Sequence, residues 1–260
     1  CAIAPGYLAN LIVADDLRDL RPRQVYYRGQ LAAEDGQSRF SSELPATVLL
    51  TDTVRIKPLA QDAFVMSAGS NRRHHVIQVV PHQITTRKVV LEARTQDGQV
   101  VADVERDVIK VAVVERHQAS GNVGLGLVRG FGLRRGALAT SIAHDSHNVV
   151  VVGTDAHDMH AAVAEIGRLG GGLTVVADGQ PIAALPLPVA GLMSPDPLET
   201  VAARLEAAEA AAASLGVSLP SPFAVLSFLA LPVIPELRLT DMGLVDVERM
   251  VLVPLAADQA

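Results

Sequence analysis

Along most of this chain the apolar residues fall in short blocks rich in β-branched side chains, the pattern of strands rather than helices. Val76–Val80 halts before Pro81, and Lys88–Arg94 leads through Gln96-Asp97-Gly98 into Gln99–Val104. An Asp-Gly pair between two such runs is the strongest short hairpin signal. Val108–Val114 is apolar at every position except Lys110 and predicts a central strand. Gly121–Gly136 is glycine-rich, with glycines at 121, 124, 126, 130, 132 and 136, and its Gly124–Gly130 run predicts a glycine-kinked strand and turn. Ala137–Ala143 and Val149–Val152 predict strands that bracket the polar segment His144-Asp145-Ser146-His147-Asn148. Leu173–Ala177 turns at Asp178-Gly179 into Ile182–Leu185, and two further strands are expected around Asp241-Met242-Gly243.

Helical periodicity is confined to two stretches. Asp155 is placed to cap a helix over Ala156–Leu169, with Asp158 three residues on and Gly170 as its stop; Met159, Val163 and Ile166 share one face. A second helix is predicted over Pro197–Leu215, with Asp196 as N-cap, Pro197 at N1, Glu199 closing a capping box and Gly216 ending it. Leu198, Val201, Leu205, Ala208, Ala212 and Leu215 would be its buried stripe. The apolar stretch Phe223–Leu231 precedes prolines at 232 and 235.

The amino-terminal part reads differently. Residues 1–36 offer Leu11–Ala14, Val25–Tyr27, a turn at Arg28-Gly29 and the short run Leu31-Ala32, too little to bury a core alone. The stretch 37–50 is polar and then Pro-interrupted, and reads as a linker; Val54–Ile56 and Ala63–Met66 read as two further extended segments. The expected fold class is mixed α/β (α+β). A strand-rich domain over 51–260, with a few covering helices, follows a partial β-sandwich piece over 1–36. The chain lacks an initiator Met and starts in what reads as the middle of a structural unit, so its start is expected to be a cut.

Composition narrows the function classes. Of 260 residues, 49% are hydrophobic and 19% charged, as in a folded globular protein. The net charge of −6 argues against nucleic acid or an anionic membrane as partner, because phosphate binding is driven chiefly by Lys and Arg. A single cysteine, Cys1, excludes an internal disulfide framework and fits a reducing cytoplasm. Prolines and charges interrupt every apolar run that would be long enough to span a bilayer.

Chemistry concentrates in two places. His144, Asp145, Ser146, His147 and Asn148 lie between two apolar strands, where α/β folds place binding sites. His144 and His147 have the spacing of a metal-ligand pair, with Asp145 available to orient one imidazole. No third or fourth ligand accompanies them, so the chain is expected to hold no metal of its own. The alternatives are a pocket or inter-domain surface lined by these residues, or imidazoles satisfied by backbone carbonyls in a turn. Glu115-Arg116-His117 follows the predicted central strand, as an anion site or as a solvated turn. Gly124–Gly130 is no nucleotide loop, since its spacing is not G-x-G-x-x-G and no helix follows. Ser146 lacks a nucleophile-elbow context, His157 and His160 read as surface residues of a helix, and His74, His75 and His82 fall near strand ends.

An ordered series of segments resembles the carboxyl-terminal domain of the adenine deaminases, within the amidohydrolase superfamily. It runs through Val113-Val114-Glu115-Arg116-His117, Gly121-Asn122-Val123-Gly124, Val128-Arg129-Gly130-Phe131-Gly132-Leu133 and Ser141–Asn148. It continues in Gly170-Gly171-Gly172-Leu173, in Leu185–Ser194 and in Leu226–Pro235, so that the likeness covers about residues 76 to 255. Ile3-Ala4-Pro5-Gly6-Tyr7-Leu8-Ala9-Asn10-Leu11-Ile12-Val13 resembles the strand by which such chains leave their barrel, with Asn10 in place of the family's Asp.

The resemblance implies hydrolysis of adenine to hypoxanthine and ammonia in purine salvage, at a divalent metal site (manganese or iron) on a (β/α)₈ barrel. No barrel motif is placed in this sequence, and it contains no His-x-His. The chain is therefore expected to be part of an adenine deaminase and inactive alone. Its partners would be the missing barrel or its subunit, adenine as substrate of the whole enzyme, and further copies in a homo-oligomer. Glu115, Arg116, His117, His144, Asp145, His147 and Asn148 are then candidates for a cap or interface on an active site carried elsewhere. Two alternatives stay open: a stand-alone, non-catalytic purine-binding or oligomerisation module, and a self-contained metalloenzyme using His144 and His147.

Overall fold

The computed structural model describes residues 2–40, 50–69 and 72–257, and the chain divides into two compact units, Cys1–Val48 and Leu49–Ala260.

In the first unit β1 (Leu11–Ala14), β2 (Pro22–Tyr27), β3 (Gln30–Glu34) and β4 (Gln37–Ser38) form an antiparallel meander in sequence order. Its tight turns, Arg28-Gly29 and Asp35-Gly36, have positive φ at both positions, which suits the twist of a two-residue hairpin. The sheet thus reaches into the stretch read as a linker, while 41–49 lie outside the described residues. No side chain in the described residues 2–40 is buried, and Ile3, Tyr7, Leu8, Ile12, Leu17 and Phe40 are all exposed.

The second unit continues with β5 (Met66–Ser67), β6 (Arg73–Val79), β7 (Thr86–Glu92), β8 (Thr95–Gln96), β9 (Gln99–Val100), β10 (Val108–Val114), β11 (Val123–Arg129), β12 (Ala137–Thr140) and β13 (Val149–Gly153). Then follow α1 (Ala156–Leu169), β14 (Gly172–Ala177), β15 (Gln180–Pro186), α2 (Leu198–Ser214), α3 (Pro222–Phe228), β16 (Leu237–Thr240), β17 (Gly243–Asp246) and β18 (Val251–Val253). An eight-stranded sheet in the order β15-β14-β12-β13-β10-β11-β6-β7 is its centre, antiparallel throughout except between β11 and β6. The fold is mixed α/β, strand-rich with three described helices, as expected.

Alternation along the strands sorts the core into layers. On β10 and β13, Val111, Val113, Val150 and Val152 face the side covered by α2, α3 and β16. Ala112, Val114, Val149 and Val151 face α1, together with Phe64. β10 is paired on both sides and buried at every position, the central strand its sequence implies. Its one cation, Lys110, sends Nζ to the Phe64 carbonyl at 3.0 Å, and burial pulls its pKa below the usual lysine range. Among the described residues no helix is long and apolar enough to cross a membrane.

Several local expectations shift. α1 has the predicted ends: Asp155 accepts from the Asp158 N–H, and Gly170 is left-handed at φ 71°. α2 does not. Pro197 occupies the N-cap position without a side-chain cap, because the Asp196 carboxylate is drawn 2.5 Å from Arg204 instead. Ala208 and Ala212 of α2 are buried, Val201 and Leu205 are half-buried against the core, and Leu198 is 78% exposed, so the predicted stripe seats except at its first residue. The apolar stretch Phe223–Leu231, given no element from the sequence, carries most of the short helix α3.

The Asp97-Gly98 turn joins β8 and β9, which pair in a small sheet with β5 rather than extending β7. Val54–Ile56 forms no strand, and of Ala63–Met66 only Met66 enters one, because Ala60–Asp62 and the following residues close turns. His74 and His75 are the second and third residues of β6, near its start as expected. Arg238, fully buried, ties α3 to the loop after β6 by donating to the carbonyls of Phe228 and Ile84 at 3.0 and 2.6 Å.

Candidate functional site

Antiparallel pairing of Val114 with Val149 places the end of β10 beside the start of β13. Residues 115–117 and 144–148 are thereby brought together, although 26 residues and two strands separate them in sequence. The same end of the sheet receives the start of β11, Thr140 at the end of β12 with Ser141 after it, Gly172 opposite Pro186, and the β16–β17 turn at Asp241.

Each candidate side chain is held by specific partners. Glu115 is buried, not solvated, and accepts from the Gln118 and Ser120 N–H groups at 2.8 and 2.9 Å and from the Ser120 hydroxyl at 3.0 Å. Burial alone would raise its pKa, but these donors and the His117 N–H outweigh it and hold the carboxyl at about 2.

Arg116, only 1% exposed, has no carboxylate partner among the described residues. Its Nε donates to the His147 carbonyl and one terminal nitrogen to the Ala190 carbonyl at 3.1 Å. The guanidinium lies flat on Gly191, where a Cβ would stand 2.7 Å from one of its nitrogens, and Gly191 has φ 71°. That position admits no side chain. Burial lowers the Arg116 pKa, so the loop 144–148 and the 189–191 turn are joined by a desolvated cation that offsets its cost with carbonyl dipoles.

The histidines fall into different roles. His117 is exposed and its Nε2 bonds the Ser146 carbonyl at 2.7 Å, so the proton sits on that nitrogen. His147, half-buried, accepts the Ala143 N–H at Nδ1, which leaves Nε2 as its donor in the neutral ring. Burial is the first cause lowering its pKa; the neighbouring His144 and Arg116 add to it, against a smaller pull from Asp145. His144 packs edgewise on His147, ring centres 5.7 Å apart, and at 5.0 Å from Phe228. Asp145 and Ser146 are exposed.

Asn148 is buried and donates to Asp241 at 3.2 Å; Asn122 reaches the other oxygen of the same carboxylate at 3.3 Å. Asp241 is the residue that sequence reasoning missed as part of this site, its only signal being the Asp-Met-Gly turn. Ser141 adds a further tie, accepting from Gly172 at 2.7 Å and donating to the Gly191 carbonyl at 2.6 Å.

The ensemble is a braced polar rim, with backbone-anchored imidazoles rather than a nucleophile and its base. Among the described residues the ligand atoms that converge within 4.8 Å are those of Asp155, His157 and Asp158, at the start of α1. His144 and His147 belong to no such group, and the Asp155 and Asp158 carboxylates already accept from backbone N–H groups.

A strand-rich C-terminal module with this braced sheet end defines a class by its sequence as well. The family model described as the adenine deaminase C-terminal domain matches residues 83–250, and the chain belongs to that family. Among curated relatives, the adenine deaminase of Dehalococcoides mccartyi (strain ATCC BAA-2266 / KCTC 15142 / 195) is 49% identical over 97% of this chain and 44% of that protein. Adenine deaminase 2 of Carboxydothermus hydrogenoformans is 47% identical over 98% of this chain and 45% of its own length. The adenine deaminase of Methanothrix thermoacetophila is 48% identical over 98% and 44%. The chain thus spans less than half the length of the curated relatives it matches, and the likeness extends beyond residues 76–255 to its amino-terminal sheet.

Proposed function

We propose that this chain is the carboxyl-terminal portion of an adenine deaminase. In the whole enzyme it would serve hydrolysis of adenine to hypoxanthine and ammonia, in the reducing cytoplasm that its single cysteine suits. The observation that carries this reading is the near-complete alignment of the chain with proteins named adenine deaminase that are about twice as long.

The divalent metal of such an enzyme, manganese or iron, would be held by the portion outside this chain. His144 and His147 do not fit it, since their nitrogens share no third ligand atom among the described residues. No catalytic step is therefore derived through the metal. The contribution of this chain is positional. Glu115, Arg116 and Asn148 brace the rim, and His117, His144, Asp145 and His147 are its outward groups, placed to cap or adjoin the active site supplied by the rest of the enzyme.

The test is reconstitution. The portion of the Dehalococcoides relative that precedes the matched region is expressed separately and mixed with this chain, and ammonia release from adenine is followed. Activity in the mixture and none in either part is the expected result. Turnover by this chain alone, or a stable folded partner that neither binds it nor gains activity, would overturn the reading. Light scattering on the same mixture reads whether the assembly is the homo-oligomer expected.

A further inference from the structure

A cleft of about 460 Å³ opens between β6, β7 and the β17–β18 hairpin, and none of its lining residues belongs to the braced rim. Its charged lining is one-sided. Arg73 and His75 come from β6, Lys88 from β7 and Arg249 from the turn after β17, against a single carboxylate, Asp246. Asp246 is 2% exposed and commits both oxygens within this group. One accepts from Lys88 Nζ at 2.5 Å and the other from the Arg249 N–H at 3.1 Å. The buried pair cancels Lys88 and fixes the turn that carries Arg249, while the Arg249 side chain makes no ion pair among the described residues. Glu92 and Glu236 do not line the cleft: Glu92 pairs with Arg72 at 3.6 Å, and Glu236 accepts the Lys88 N–H at 2.8 Å. In a chain of net charge −6, this local positive excess selects for an anion.

The kind of anion follows from the donors. His75 donates Nδ1–H to the Pro254 carbonyl at 2.8 Å, which fixes its tautomer and leaves Nε2 to take up a proton beside a negative charge. Arginine forks match phosphate oxygens, and here the basic groups come from three separate elements. A tetrahedral dianion presents oxygens to all three, whereas a planar carboxylate presents two in one plane. Val90 and Leu252 add an apolar wall beside the charged groups.

We propose that this cleft binds a phosphate dianion, free or carried on a small organic molecule. Arg73 and Arg249 donate to its oxygens, His75 adds a contact as imidazolium, and Val90 and Leu252 flank the organic body. The site is independent of any deamination by the whole enzyme, and binding to this chain reads it without reference to turnover.

Calorimetric titration of the full chain uses inorganic phosphate and phenyl phosphate as probes, with phthalate as a planar dianion control. Both phosphates should bind, and phthalate should bind at least tenfold more weakly than phenyl phosphate. Tighter binding of phenyl phosphate than of inorganic phosphate supports a phosphate ester as the ligand; equal affinity supports free phosphate. Arg249→Gln keeps the backbone N–H on Asp246 and should weaken both phosphates about tenfold. Arg135→Gln removes the same charge from an exposed pair with Asp178, outside the cleft, and should leave the affinity unchanged. Phthalate binding as tightly as phenyl phosphate, no heat from either phosphate, an affinity unchanged in Arg249→Gln, or an equal loss in Arg135→Gln would each overturn the proposal.

Discussion

At the scale of single residues, the site is built from groups whose charge is settled by immediate neighbours. Glu115 has a folded pKa of about 2, below its ordinary value of 4.5. Its contribution to stability is therefore complete above pH 4.5 and is lost as pH falls from there toward 2. Glu115→Gln should cost about 2–3 kcal/mol at pH 7 and progressively less below pH 4. Urea denaturation of both proteins at pH 7 and pH 3 checks this, and an equal penalty at both would contradict it.

Arg116→Met leaves the carbonyls of His147 and Ala190 without their donor and should cost about 3 kcal/mol. It also removes a positive neighbour from His147, so that imidazole should titrate higher, nearer 6.5, in an NMR pH series. Because His147 is held below 6.5 in the fold, its share of stability is full above that pH and declines as pH falls through its folded value.

At the scale of elements, the two long helices make a paired test. Asp155 caps α1, so Asp155→Ala should cost about 1 kcal/mol. Asp196 caps nothing and makes a half-exposed ion pair with Arg204, so Asp196→Ala should cost about 0.5 kcal/mol or less. Thermal melts of the two variants give the order directly. A second test concerns β11, where a Cβ on Gly124 would stand 1.9 Å from the Thr240 carbonyl oxygen. Gly124→Ala should push the β16–β17 hairpin off the sheet at a cost of about 3 kcal/mol or more, and with it Asp241 from Asn122 and Asn148.

What the sequence shows of these elements follows from how local their causes are. The ends of α1 and the Asp178-Gly179 hairpin rest on residues a few positions apart, and all were readable. Asp196 has the same composition signal as Asp155, but its carboxylate is claimed by a side chain eight residues away, which no capping pattern reports. The candidate site was readable as two separate clusters. Their meeting depends on β10 pairing with β13, a non-local choice, and the place of Asp241 depends on a hairpin docking onto β11.

At the scale of the molecule, the two units should differ sharply in cooperativity. The described residues 2–40 have no buried side chain, while the eight-stranded sheet is covered on both faces. Hydrogen exchange on the isolated chain should show β1–β4 losing protection by local opening, and β10 and β13 only with global unfolding. Addition of the complementary portion of a relative should restore protection to the first sheet. Equal protection of both units in the isolated chain would contradict this.

The bracing of the sheet end also sets an order in time. Arg116 meets the His147 carbonyl across 31 residues and the Ala190 carbonyl across 74, while Asp241 reaches Asn148 across 93 and Asn122 across 119. A ribosome delivers these residues from the amino end, and distant contacts wait for the loops between them to close. Strands β10 to β13 can pair early, but the rim stays unlocked until residue 241 has emerged. The polar site thus matures later than the strands that carry it.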